Sequence, residues 1–206
     1  MRRSGRMSEN KRLRLIGLKS TTAMRNKPDN IKNYDFFLWE KLKRGDKTAL
    51  QRIYREHFAG MLDYGMRLVA ERDFVKDCIQ QVFRDIINRL PSLGNTGNIR
   101  YYLLKSLRQN MLDDAKMGND LKRRLGNIEG NGFDYTDVTT GFSDNDSTSV
   151  ASLSFREKEA MYLKFSQGLN ELEISQMIGL SDASARELLY NALKKYRSYR
   201  DAPPSH

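Results

Sequence analysis

Only one cysteine, Cys78, and two histidines, His57 and His206, occur in 206 residues. A lone cysteine excludes an internal disulfide, and two such distant histidines offer no credible metal centre. Cys78 falls among apolar residues at helical spacing, where a thiol serves as a small buried hydrophobe. No apolar run approaches the length that spans a bilayer, and the basic amino-terminal stretch lacks an apolar h-region behind it. No membrane span is therefore expected, and the reading is of a soluble cytoplasmic protein. Long β-branched runs are also missing, which argues against sheet. The one notable carboxylate pair, Asp113 and Asp114, is adjacent on a helix, so the two side chains point apart. No nucleophile, metal cluster or phosphate loop accompanies it, so neither an enzyme nor a cofactor is expected.

What the chain does have is positive charge, +10 overall, unevenly spread. Residues 1–27 carry +8, residues 28–117 carry +4, residues 125–152 carry −5 and residues 153–206 only +1. A basic balance points to a polyanionic partner. Here most of it sits in a tail, and the globular parts are nearly balanced.

Helical spacing dominates two stretches. Residues 1–30 are polar and basic without sustained periodicity and read as a disordered arm; Met7 and Met24 are alternative starts. From 31 to 117 the pattern predicts a four-helix bundle. Phe36, Phe37, Trp39 and Leu42 open the first helix, which stops near Gly45 and Asp46. A second runs from Thr48 to Val69. In the third, Phe74, Cys78, Ile79, Val82, Phe83 and Ile86 form one apolar stripe, with Asp77, Gln80, Gln81 and Arg84 opposite. A solvated face favours Lys and Glu; two glutamines beside one Asp suit a face that meets a partner. Residues 91–98 hold Pro91, Gly94 and Gly97 and form a breaker loop, and a fourth helix runs from Ile99 to about Met117.

Residues 118–152 are rich in Gly, Asn, Asp, Ser and Thr and read as an acidic flexible linker. Residues 153–200 are helical again: Phe155 to Phe165, then Asn170 to Ile178 with Glu173 three residues after Asn170. A tight turn at Gly179 follows, and Ser181 or Asp182 caps a last helix to about Tyr199. Short helix, Gly-led turn and longer helix make a helix-turn-helix pattern. Residues 201–206 are a tail. The fold class expected is all-α: an amino-terminal helical bundle and a carboxy-terminal helix-turn-helix domain joined by a flexible linker.

Asp77, Ile79, Gln80, Val82 and Phe83, in the order D-x-I-Q-x-V-F, resemble the core-polymerase-binding helix of bacterial extracytoplasmic-function (ECF) sigma factors. Leu38, Trp39 and Glu40 before Lys43, Arg44, Gly45 and Asp46 resemble the family's opening helix. The helix from Ile99 resembles its promoter-melting helix, and Arg156 to Phe165 with Ile174 to Ser181 its helix-turn-helix. The match covers roughly 35–117 and 153–198. It implies binding to core RNA polymerase (β and β′ subunits) through Asp77, Gln80, Gln81 and Arg84. It implies minus-ten DNA contacts at Asn95, Asn98, Arg100, Lys105, Arg108, Gln109 and Lys116, with the loop before the fourth helix cradling a flipped base. Tyr101 and Tyr102 are candidate stacking groups, Tyr102 more readily a core residue. The acids Asp134, Asp137, Asp144 and Asp146 would follow the nascent-RNA path.

Minus-thirty-five contacts would come from Ser184, Arg186, Glu187, Tyr190, Asn191 and Lys194. The family carries two or three basic residues across the positions of Arg186 to Asn191; this chain has Arg186 alone, beside Glu187. Each lost phosphate contact weakens binding and its salt dependence, and a groove-facing Glu repels phosphate unless it accepts from cytosine. Weak or unusual minus-thirty-five recognition is the expectation, with another DNA-bound recruiting protein or the basic arm assisting. An anti-sigma factor is a further implied partner. Two other readings stand beside this one: a sigma-like adaptor tethering polymerase to a DNA-bound partner, and a helix-turn-helix regulator acting without polymerase.

Overall fold

A computed structural model describes residues 28–114, 119–122 and 153–200. Every regular element among them is helical. The arm over 1–27, Lys116, the four linker acids and the tail over 201–206 lie outside the described residues. The chain divides into two compact units.

The first unit contains α1 (Pro28–Lys43), α2 (Lys47–Leu68), α3 (Arg72–Asn88), a 3-10 turn (Leu90–Ser92) and α4 (Ile99–Asp113). The expected arm ends three residues early, because α1 begins at Pro28, whose fixed φ and missing N–H suit a first helical turn. Asp46 starts α2 by accepting from the Thr48 and Ala49 amides at 2.8 and 3.3 Å. Asn98 starts α4 by accepting from the Tyr101 amide at 3.0 Å. A second acceptor reaches that terminus from α1: the buried Asp35 carboxylate takes the Ile99 amide at 3.0 Å. Burial raises the Asp35 carboxyl, while the Ile99 amide and Arg100 act in the opposite direction.

Trp39, Ile53, Met61, Tyr64, Val75, Ile79, Ile86, Leu103 and Leu107 fill the core between the four helices. The α3 stripe differs from expectation at one end. Val75 is fully buried and Phe74 only half-buried, because the buried arc is centred on Val75, Val82 and Ile86. Helices α2 and α3 are in close contact where Gly65 faces Val75: a Cβ at Gly65 would stand closer than 3.0 Å to Val75 Cγ1. Cys78 is buried as expected, and burial, with Asp114 and Asp77 nearby, pushes its thiol up to about 11.

The second unit contains α5 (Phe155–Phe165), α6 (Glu171–Ile178) and α7 (Asp182–Arg200). Ser154 and Glu157 exchange a capping box at the start of α5, and Asn170 and Glu173 do so for α6. The Glu157 carboxylate is buried, which alone would raise its pKa. Lys195 at 2.8 Å and the Ser154 amide more than offset this and hold it below the usual range. Gly179 ends α6 at φ 73°, a left-handed conformation that favours glycine. Ser181, rather than Asp182, caps α7, accepting from the Ser184 amide at 3.1 Å. Asp182 instead accepts from the buried Ser175 hydroxyl at 2.5 Å, tying α7 to α6.

Candidate partner-binding and nucleic-acid interfaces

Burial of Val75, Ile79, Val82 and Ile86 fixes the rotation of α3, so Asp77, Gln80, Gln81 and Arg84 all come out exposed on its far side. Arg84 Nε donates to Gln81 Oε1 at 3.1 Å, and Gln81 Nε2 donates to Asp85 Oδ1 at 2.7 Å. That chain orients Gln81 and Arg84. Asp77 and Gln80 make no hydrogen bond or ion pair among the described residues, so their polar atoms face water.

Beside this stripe lies a groove of about 630 Å³ between α2 and α3, which sequence reading did not find. Leu50, Tyr54, Phe58, Ala59, Phe83 and Ile87 give it apolar lining, and Gln51 and Arg55 also line it. Phe83 and Ile87 are three and seven residues on from Gln80, so polar stripe and groove share one helix surface. The Tyr54 ring meets Phe83 edge-on at 5.0 Å and keeps the groove wall in place. Helical spacing marks these side chains only as apolar; their exposure depends on where α3 packs.

The loop before α4 is pinned to α1. Trp39, 1% exposed, donates through Nε1 to the Gly94 carbonyl at 2.8 Å. Lys43 Nζ donates to Asn95 Oδ1 at 2.6 Å and to Glu40 at 3.0 Å. Asn95 is exposed, with its carbonyl oxygen thus engaged, and Asn98 is half-buried as the α4 cap. Both amides therefore hold the loop's shape.

Along α4, Arg100, Lys105 and Gln109 are exposed. Lys105 donates to the Tyr101 hydroxyl at 3.1 Å and lies 5.5 Å from its ring centroid. Gln109 Nε2 donates to both Asp113 carboxylate oxygens, at 2.9 and 3.0 Å, which places an acid within the basic stripe. Arg108 departs from expectation: it is 9% exposed. It follows Leu104 by four residues and precedes Met111 by three, at the border of the buried arc, so it does not share the Lys105 and Gln109 stripe. Tyr102 packs edge-on against Trp39 at 4.8 Å, the core role expected for it. His57 on α2 lies near Arg100, and burial, reinforced by that guanidinium, lowers its pKa to about 4.

Phe36 and Phe37, which open the first helix with Trp39 and Leu42, are 45% and 67% exposed. The buried arc of α1 is Asp35, Leu38, Trp39 and Leu42, and both phenylalanines fall outside it.

In the second unit, Ala185, Leu189, Ala192 and Tyr196 form the buried stripe of α7. Ser184, Arg186, Glu187, Tyr190, Asn191 and Lys194 are all exposed, and the Ser184 hydroxyl shares a hydrogen bond with that of Ser181 at 2.8 Å. Arg186 is the single base in the first two turns of α7, against Asp182 and Glu187.

In fold the chain is similar to the sigma factor RpoE from Bartonella quintana, solved in a co-crystal with the anti-sigma factor NepR. The TM-score is 0.50 and the identity 14%, over 72% of this chain and 94% of that one. No protein-family model matches the sequence, and no curated protein does. At this identity the likeness is one of fold. Among the described residues no helix is long and apolar enough to cross a membrane.

Proposed function

We propose that the chain is an ECF-type sigma factor, which binds core RNA polymerase and directs it to open promoter DNA. The observation that carries this reading is the α3 surface. Asp77 and Gln80 are exposed without partners among the described residues and adjoin an apolar groove, on a fold similar to that of a sigma factor. Such a surface combines polar specificity with apolar area, as protein interfaces do. In this reading Asp77, Gln80, Gln81 and Arg84 meet the β and β′ subunits. Asn95, Arg100, Lys105 and Gln109 approach the opening duplex, and Lys116, outside the described residues, is proposed to contact it as well. Since the structural neighbour is bound to an anti-sigma factor, a protein of that kind is the regulatory partner proposed. The site of action is the cytoplasm, where polymerase is.

The test is co-elution with purified core polymerase, followed by run-off transcription from a promoter library. Wild type should co-elute and initiate. The pair Asp77→Ala and Gln80→Ala should lose co-elution at unchanged melting temperature. A wild-type chain that never associates with core polymerase would sink the proposal.

One observation favours a second reading, the adaptor. The exposed first two turns of α7 offer Arg186 alone as a base, little for a phosphate backbone to hold. An adaptor co-elutes with polymerase yet supports no run-off transcription unless a DNA-bound partner is added.

A further inference from the structure

Three side chains of α1, spaced four residues apart, hold the chain entering α4. Asp35 accepts from the Ile99 amide at 3.0 Å, Trp39 donates to the Gly94 carbonyl at 2.8 Å, and Lys43 donates to Asn95 at 2.6 Å. These contacts lay residues 94–99 along one flank of α1. Phe36 follows Asp35 directly and precedes Lys43 by seven residues, so it borders that flank on its solvent side. Phe37 meets it edge-on, with centroids 6.0 Å apart and planes at 72°.

Two adjacent phenylalanines, 45% and 67% exposed, form an aromatic ledge. Its surroundings are cationic. Lys41 and Arg44 are exposed and stand four and seven residues on from Phe37, and Arg100 is near enough to Asp35 to act on its charge. The acids nearby are engaged: Glu40 pairs with Lys43 at 3.0 Å, and Asp35 is buried against the Ile99 amide. Exposed π faces bordered by cations fit a nucleobase with its phosphates better than an apolar protein surface, which would have to desolvate those cations.

We propose that Phe36 and Phe37 form a stacking platform for an unpaired nucleobase of the strand held by the 91–98 loop, with Lys41 and Arg44 on the adjoining phosphates. The inference rests on the promoter-opening reading and extends it to a second helix. Because every base has a π face, the platform adds affinity for single strands without adding sequence preference.

Fluorescence anisotropy of the full chain tests it. The probes are an oligothymidylate of about fifteen nucleotides and an abasic strand of equal charge, a length within the site sizes of single-strand binders. Wild type should bind the thymidylate about 5- to 100-fold more tightly than the abasic strand, the range that stacking supplies. The double variant Phe36→Ala, Phe37→Ala should lose that difference while keeping wild-type affinity for the abasic strand. Phe36→Trp should retain it. Circular-dichroism melting confirms that each variant is folded. If wild type binds neither strand, the DNA reading falls and the platform with it. If wild type binds both strands and the double variant keeps the base dependence, the platform alone is overturned. Loss of polymerase co-elution with intact base dependence would assign the pair to a protein contact and also overturn it.

Discussion

Replacing Gly65 by alanine should expose how closely α2 and α3 are packed. An ideal Cβ at Gly65 falls closer than 3.0 Å to Val75 Cγ1, with Cγ2 at 3.3 Å and Cβ at 3.4 Å. Val75 is fully buried and β-branched, so its side chain has one comfortable helical rotamer and little room to turn. The helices must part or Val75 must leave its rotamer, an overpacking cost of roughly 1–3 kcal/mol. Alanine's helix propensity returns about 1 kcal/mol, leaving a net loss of roughly 1 kcal/mol. Val75→Ala alone removes two buried methyl groups and opens a cavity, costing about 2–3 kcal/mol. In the double variant the new methyl occupies the vacated space, so it should be more stable than the sum of the singles by about 2 kcal/mol. Chemical denaturation measures this, read through Trp39. It is the sole tryptophan and is buried in the same unit, so it reports that unit directly. Each kcal/mol corresponds to about 4–8 °C in Tm for a unit of this size. Additivity within about 0.5 kcal/mol, or a stabilising Gly65→Ala alone, would refute the close approach.

Trp39→Phe keeps most of the buried ring but removes the donor to Gly94, and should cost about 1–2 kcal/mol. It should reduce promoter opening, followed by permanganate footprinting, and leave polymerase co-elution intact. His57 gives a pH signature. Its native pKa is about 4 against an ordinary 6.5, so between those values the unfolded chain binds a proton that the native chain refuses. Stability from this group is complete above about pH 6.5, falls as pH drops toward 4, and changes little below; the total is at most about 3 kcal/mol. Urea unfolding at pH 7 and pH 4.5 should show a smaller difference in His57→Phe than in wild type. Asn170→Ala breaks the capping box of α6 and should destabilise the second unit by about 1 kcal/mol, measurable by hydrogen exchange of α6 amides. Equal protection in the variant would count against the cap.

Helix positions were legible because their signals are local. Asn170, with Glu173 three residues on, is a cap legible in the pattern; Asp46, Asn98 and Ser154, not read as caps from the sequence, bond the backbone over the same two or three residues. Gly179 stops α6 by its own conformation. The polar stripe on α3 was legible for a related reason: a strongly periodic helix has only one way to bury Ile79, Val82 and Ile86. Periodicity leaves the edge of each buried arc open, and the misreadings fall there. Arg108 and Phe74 lie at arc borders, where the neighbouring helix decides burial; Phe36 and Phe37, on which the pattern made no burial claim, lie beyond the α1 arc.

Local pattern alone was enough for the helices, the all-α class and the outward side of α3, because turn residues and a 3.6-residue period act within a few positions. What lies between helices came from packing across the fold. It closed α2 onto α3 at Gly65 and opened the groove beside Gln80. It pinned the 91–98 loop to Trp39 and Lys43, buried Arg108, and left Phe36 and Phe37 in solvent. Those outcomes depend on contacts between residues up to 64 positions apart, which no local pattern encodes.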